Sequence, residues 1–169
     1  MKLLVVSDSH GSKEELLELS EKYHSTVDAM VHCGDSELSA DDPALSPYLV
    51  VRGNCDMDAR LPDDLIEKVE GSSIMVTHGH LYGIKMSLMK LRYRAEEVGA
   101  QFVFFGHSHT LGAELNSGTL FLNPGSILLP RGRRERTYAL VEANDQEIKV
   151  TFLTNDHVVL DDLTQSFQL

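Results

Sequence analysis

Five short apolar runs in this chain each end in side chains that bind hard or borderline metal ions, and that recurrence constrains the fold more than any bulk property. Leu3 to Val6 leads into Asp8-Ser9-His10, Ala29 to His32 into Gly34-Asp35, and Leu49 to Val51 into Gly53-Asn54-Cys55-Asp56. Ile74 to Val76 leads into His78-Gly79-His80, and Phe102 to Phe105 into Gly106-His107-Ser108-His109. Runs of this length and character read as short buried strands. In open α/β sheets, residues just beyond the carboxyl ends of neighbouring strands gather in one crevice. The sequence therefore predicts a site assembled from five loops.

Between these runs the pattern is α/β, then all-β. A helix is expected to begin near Ser12, where Ser12 and Glu15 have the spacing of a capping box, with Leu16, Leu17 and Leu19 as its buried stripe. Strands are expected at Lys2 to Val6, Asp28 to His32 and Tyr48 to Val51, followed by a hairpin of Leu65 to Val69 and Ile74 to Thr77 turning at Gly71-Ser72. A second helix, Lys85 to Val98, ends at Gly99, which suits the left-handed residue after a helix. After the strand Gln101 to Phe105, hairpins follow: Leu111 to Leu115 with Thr119 to Leu122, then Tyr138 to Val141 with Ile148 to Leu153. The last dozen residues carry no clear pattern. This order predicts two mixed sheets packed face to face with helices outside, in one domain over 1–169.

Composition narrows the function. A formal net charge of -11 opposes attraction to nucleic acid or to an anionic membrane surface. No stretch is long enough to span a bilayer, and the start lacks the long apolar core of a signal peptide, so a cytoplasmic compartment is expected. Cys33 and Cys55 give no disulfide framework and no Cys-x-x-Cys pattern. Imidazole, carboxylate and amide ligands without thiolate suit manganese, iron, zinc, cobalt or nickel, with manganese foremost. Asp8 and His10 are two apart, as are His107 and His109, and in extended backbone such pairs project from one face. The ligands outnumber what one ion accepts, and Asp35, alone on its loop, is the natural carboxylate to screen two adjacent cations from each other.

The ordered set Asp8-x-His10, Gly34-Asp35, Gly53-Asn54-x-Asp56, His78-Gly79-His80 and Gly106-His107-x-His109 resembles the calcineurin-like metallophosphoesterase superfamily over about two thirds of the chain. The compact length and the Gly-Asn-Cys-Asp form look most like its small bacterial and archaeal phosphodiesterases. The resemblance implies two divalent transition-metal ions, one held by Asp8, His10, Asp35 and His109, the other by Asp35, Asn54, His78 and His107. It implies hydrolysis of phosphodiesters by two-metal activation of a water nucleophile, acting on a small phosphate-ester substrate. Phosphomonoesterase and nucleotide pyrophosphohydrolase activities remain open alternatives. So does a protein-binding scaffold, because the superfamily includes a small retromer subunit of that kind; against it, this chain keeps every ligand. No nucleic-acid-binding domain is expected at this length, and homo-oligomers are compatible with it.

One position departs from the wider pattern. Where many phosphatases of the superfamily have His after Gly-Asn, this chain has Cys55, a thiol able to give a proton to a leaving group but not to supply imidazolium's charge. Cys55, Asp56 and His80 are thus the candidate catalytic residues: Cys55 as acid, Asp56 as the residue that orients a neighbouring His or the Asn54 loop, and His80 as ligand or pocket lining. His24, His32 and His157 lie off the pattern, and Cys33 reads as a small core residue. Asn123-Pro124-Gly125-Ser126 resembles a tight turn near the site in relatives, with a structural role and a phosphate contact equally open. The dense basic run Arg131 to Arg136 reads as a solvated loop.

Overall fold

The computed structural model describes residues 1–169. In chain order the elements are β1 (Lys2–Val6), α1 (Glu14–Tyr23), β2 (Ala29–His32), β3 (Tyr48–Val50), β4 (Asp64–Val69), β5 (Ser72–Thr77), α2 (Met89–Val98), β6 (Phe102–Phe104), β7 (Gly112–Asn116), β8 (Thr119–Asn123), β9 (Thr137–Ala143), β10 (Glu147–Thr154) and β11 (Gln165–Gln168). They form a six-stranded sheet, β11-β10-β9-β1-β2-β3, and a five-stranded sheet, β4-β5-β6-β8-β7. Both are mixed. β1, β2 and β3 run parallel in the first sheet, and β5, β6 and β8 run parallel in the second.

The period-2 alternation of strand side chains separates three apolar layers. Leu3 and Val5 of β1 point inward and pack with Val31, Ile74, Val76, Phe104 and Leu122, so residues of both sheets share one core. Leu4 and Val6, one residue out of phase, face the other way and bury Leu16, Leu19 and Tyr23 of α1. On the far side Met75 and Val103 bury Leu91 and Ala95 of α2. Each fully buried Leu, Val or Ile contributes about 1.5–3 kcal/mol. The expected sandwich flanked by helices is what forms, and no helix is long and apolar enough to cross a membrane.

Four local expectations need correction. Helix α1 begins at Glu14 with Lys13 as N-cap and no side-chain cap. The Ser12 hydroxyl bonds the Glu15 carboxylate instead of a backbone amide, so the capping box does not form. Leu17 is 51% exposed because the buried stripe follows Leu16, Leu19 and Tyr23 at helical spacing. Helix α2 starts at Met89 rather than Lys85, the preceding residues forming a turn around Gly83 (φ 63°). The β4–β5 turn is Glu70-Gly71, both left-handed, one residue earlier than expected. The patternless tail supplies β11, an edge strand paired antiparallel to β10, with Phe167 packed against the inner core.

Candidate metal centre

The five polar loops meet at the carboxyl ends of β1, β2, β3, β5 and β6, three strands from one sheet and two from the other. Their local geometry is unusual. Asp8 (φ 54°), His10 (43°), Asp35 (53°), His107 (67°) and His109 (58°) all occupy the left-handed region, at a cost of order 1–3 kcal/mol each. Asp8-x-His10 and His107-x-His109 are therefore kinked, correcting the expectation that extended backbone aims each pair. Inter-loop hydrogen bonds hold the kinks: the amides of Asp8, His10 and Gly11 donate to the carbonyls of Gly34 (3.1 Å), Asp35 (3.0 Å) and Ser36 (2.8 Å).

Asp56 is buried and faces the loop backbone rather than a histidine. One oxygen accepts the amides of Asp35 (2.8 Å) and Gly53 (2.7 Å), and the other accepts the Glu37 amide (2.6 Å) and the Ser36 hydroxyl (3.2 Å). A single carboxylate thus ties the Asp35 loop to the Asn54 loop. Glycine allows the approach: a Cβ at Gly53 would lie 2.0 Å from Asp35 Oδ1, and one at Gly106 would lie 2.6 Å from Asp8 Oδ2.

Asp8, His10, Asp35 and His109 bring one ligand atom each to within 4.8 Å of one another. Asp8 Oδ2 accepts the Ser7 hydroxyl (2.6 Å) and the His107 amide (3.2 Å), whereas Asp8 Oδ1 is buried with no aligned hydrogen bond. Around that oxygen stand Nε2 of His109 at 3.1 Å, His10 at 3.8 Å and His78 at 3.9 Å. Each ring is fixed from behind. Nδ1 of His109 donates to the Leu129 carbonyl (2.7 Å), Nδ1 of His78 to the Cys33 carbonyl (2.8 Å), and Nδ1 of His10 faces a Glu37 carboxylate oxygen (2.7 Å). A neutral ring so held turns the Nε2 lone pair toward the site.

This donor set fits a cation. Nε2 of His10 and His109 lie 3.2 Å apart, and Nε2 of His78 lies 3.2 Å from Asp35 Oδ2 and 3.1 Å from Asn54 Oδ1. Lone pairs meeting at such distances need a proton or a metal ion between them. The electrostatics agree: burial opposes ionisation of Asp8, yet the His109 and His78 imidazoles and the Ser7 hydroxyl outweigh it and hold the carboxyl below its usual range. Burial likewise opposes charge on His78, but Asp35 and Asp8 raise its pKa, and Asp8 raises that of His109.

The His107 and His109 rings serve different neighbours. His107 lies 5.1 Å from the His78 ring and 6.1 Å from the His80 ring, centroid to centroid, away from the His10–His109 pair. Burial and His78 lower the pKa of His107 to about 4, with Lys85 adding to the effect. His80, half-buried with Nδ1 unpartnered, is likewise lowered by burial and by His78. Cys55 is exposed beside Asp35, its amide donating to Asp35 Oδ1 (2.8 Å) and its Sγ accepting from Asn54 Nδ2 (3.4 Å).

Sequence reading missed the support of these side chains. Glu37, two residues past Asp35, orients His10, and its position was a usable signal. The Leu129 carbonyl that orients His109 leaves none in sequence. His32 is fully buried: it accepts the Gly34 amide at Nδ1 (3.1 Å), so Nε2 carries the proton and donates to Ser9 Oγ (2.8 Å), joining two of the loops. Ser126 Oγ donates to the Asp8 carbonyl (2.7 Å) and accepts the Leu129 amide (2.7 Å), which gives the Asn123 to Ser126 turn a structural role. The basic run is exposed, with Arg133 paired to Glu135 and Arg136 to Glu15.

Known proteins resemble this chain in sequence and fold. The family model of the calcineurin-like phosphoesterase superfamily domain matches residues 1–146. YsnB of Bacillus subtilis, a probable metallophosphoesterase, is 47% identical over 163 residues, covering 96% of each chain. Phosphodiesterase YfcE of Escherichia coli K12 is 27% identical over 191 residues, covering 95% of this chain and 96% of its own. A crystal structure from Streptococcus pneumoniae TIGR4, described as a conserved uncharacterized protein and predicted phosphoesterase, superimposes with a TM-score of 0.97 at 43% identity, covering 99% of this chain and 97% of that one. Vps29 of Entamoeba histolytica complexed with zinc matches with a TM-score of 0.72 at 20% identity, over 100% of this chain and 98% of that one, which is a likeness of fold alone.

Proposed function

This chain belongs to the calcineurin-like phosphoesterase superfamily, and we propose that it is a metal-dependent phosphodiesterase using two divalent ions in one domain over residues 1–169. The buried, unbonded Asp8 Oδ1 facing three imidazole nitrogens carries this reading most directly. Asp8, His10, Asp35 and His109 would hold one ion and Asp35, Asn54, His78 and His107 the other, with manganese the expected metal. Such ions supply Lewis acidity: they lower the pKa of bound water and take up charge on phosphoryl oxygens.

The protein's own groups supply orientation and protons. The Nδ1 bonds of His10, His78 and His109 fix ring orientation in advance, so little order is lost when the site is filled. Asp56 acts as a positioning residue through the Asp35 and Gly53 amides. His80, with its pKa lowered, stays neutral at pH 7 and lines the site without adding charge. Partial desolvation and the neighbouring Asp35 carboxylate push the Cys55 thiol up to about 11, so it holds its proton at neutral pH. A thiol can protonate a leaving oxygen but offers no positive charge to a dianionic monoester. Diesters with good leaving groups are therefore the favoured substrates, in line with the name of the YfcE relative.

The test is a comparison of kcat/KM for bis(4-nitrophenyl) phosphate and 4-nitrophenyl phosphate at equal metal loading. The native protein should prefer the diester. Cys55→His places an imidazole at the leaving-group position, and well-placed general acids contribute about 10²–10⁴-fold, so the variant should gain monoester turnover relative to diester. An unchanged ratio removes Cys55 from substrate choice. Under the alternative reading, a protein-binding scaffold on the same fold, neither ester is hydrolysed at any metal loading.

A further inference from the structure

One cavity is lined in part by Ser108 of the Gly106 to His109 loop. It measures about 310 Å³ and is walled by Ile84, Leu88, Phe105, Ala113 and Phe121. Ser108 itself lies between His107 and His109. Ile84, another lining residue, rests on Gly79, between His78 and His80, so closely that a Cβ at Gly79 would come within 2.9 Å of Ile84 Cγ1. Ser108 and Ile84 thus connect the cavity to two loops that carry candidate metal-site histidines.

The polar groups around this cavity are already paired. Asn123 Nδ2 donates to the Gly106 carbonyl (2.9 Å) and to Ser108 Oγ (3.0 Å), Thr110 Oγ1 donates to the Ser108 carbonyl (3.3 Å), and Glu114 is bonded by Arg92 (2.6 Å). With its donors spent inside the chain, the cavity offers a ligand apolar and aromatic surface. Lys85, next in the chain to Ile84, is exposed and forms no ion pair. A cation beside an apolar recess suits an ester that joins an anionic phosphate to a ring.

We propose that this cavity binds an aromatic arm of the phosphate ester, a group the size of a phenyl ring or a nucleobase, while the phosphate lies at the metal centre. The inference deepens the phosphodiesterase reading and rests on it for the phosphate's place. Burying one ring in such a recess should strengthen binding on the order of tenfold or more.

Gly112 gives a clean test, because it lines the cavity and a Cβ added there meets nothing within 4 Å. Gly112→Leu should fill the recess while leaving the strand paired, and Gly112→Ala should leave most of it open. The probes are non-hydrolysable: methylphosphonate, phenylphosphonate and the one-carbon-longer benzylphosphonate, titrated by calorimetry into manganese-loaded protein. An aryl phosphonate should bind about tenfold or more tightly than methylphosphonate to the native and Gly112→Ala proteins. In Gly112→Leu that ratio should fall close to one with methylphosphonate affinity unchanged. Equal affinities in the native protein, or a ratio that survives Gly112→Leu, overturn the proposal. If the ratio behaves as expected but diesters are not hydrolysed, the aromatic site stands and the phosphodiesterase reading fails.

Discussion

Asp35→Asn should lose both metal ions together and lower diester hydrolysis by roughly 10³-fold or more. Asp35 Oδ2 faces Nε2 of His78 at 3.2 Å, and the same carboxylate belongs to the cluster of Asp8, His10 and His109. Its ordinary state is anionic: although burial opposes charge, His78 and the Cys55 amide hold its pKa far below the usual carboxylate range. An amide of the same shape removes the negative charge that would screen two neighbouring cations, so neither position should load normally. Elemental analysis after gel filtration gives occupancy, and calorimetry with and without manganese separates lost metal stabilisation from a damaged fold. An Asp35→Asn protein with two ions and native turnover refutes the shared-ligand assignment.

Gly53→Ala should do almost as much harm with no change of charge. The added Cβ would stand 2.0 Å from Asp35 Oδ1 and 2.5 Å from the Asp35 amide nitrogen, distances that atoms do not share. Asp35 cannot simply swing aside, because its amide is bonded to Asp56 and its Oδ1 to the Cys55 amide. The loop must move instead, at a cost of about 1–3 kcal/mol, and a displacement near 1 Å in a site of this kind lowers turnover about 10²-fold. Gly112→Ala is the matched control and should be nearly silent in stability. A Gly53→Ala protein with native melting temperature and activity would show that the Asp35 and Asn54 loops are not in such close contact.

What the sequence made legible was the part governed by apolar patterning and ligand type. Short continuous apolar runs located most strands of both sheets, and the polar residues after five of them marked the candidate centre, because a strand end fixes where the next side chain goes. Left-handed backbone at Asp8, His10 and Asp35 was not legible, since non-glycine residues adopt it only under tertiary constraint. The contacts that orient the histidines were also hidden: two are backbone carbonyls, of Cys33 and Leu129, which every residue possesses. His32 looked ordinary on its strand, and only folding shows it bonded between Ser9 and Gly34. The strand β11 escaped because Phe167 alone gives it little apolar pattern of its own.

Two ions acting together on a diester can be tested in one titration. Protein stripped with a chelator is loaded stepwise with manganese while bound metal and hydrolysis of bis(4-nitrophenyl) phosphate are followed in parallel. Binding should saturate at two ions per chain, with hydrolysis near zero in the stripped protein and most of it arriving as the second site fills. Saturation at one ion with full activity, or hydrolysis that survives complete removal of metal, contradicts it.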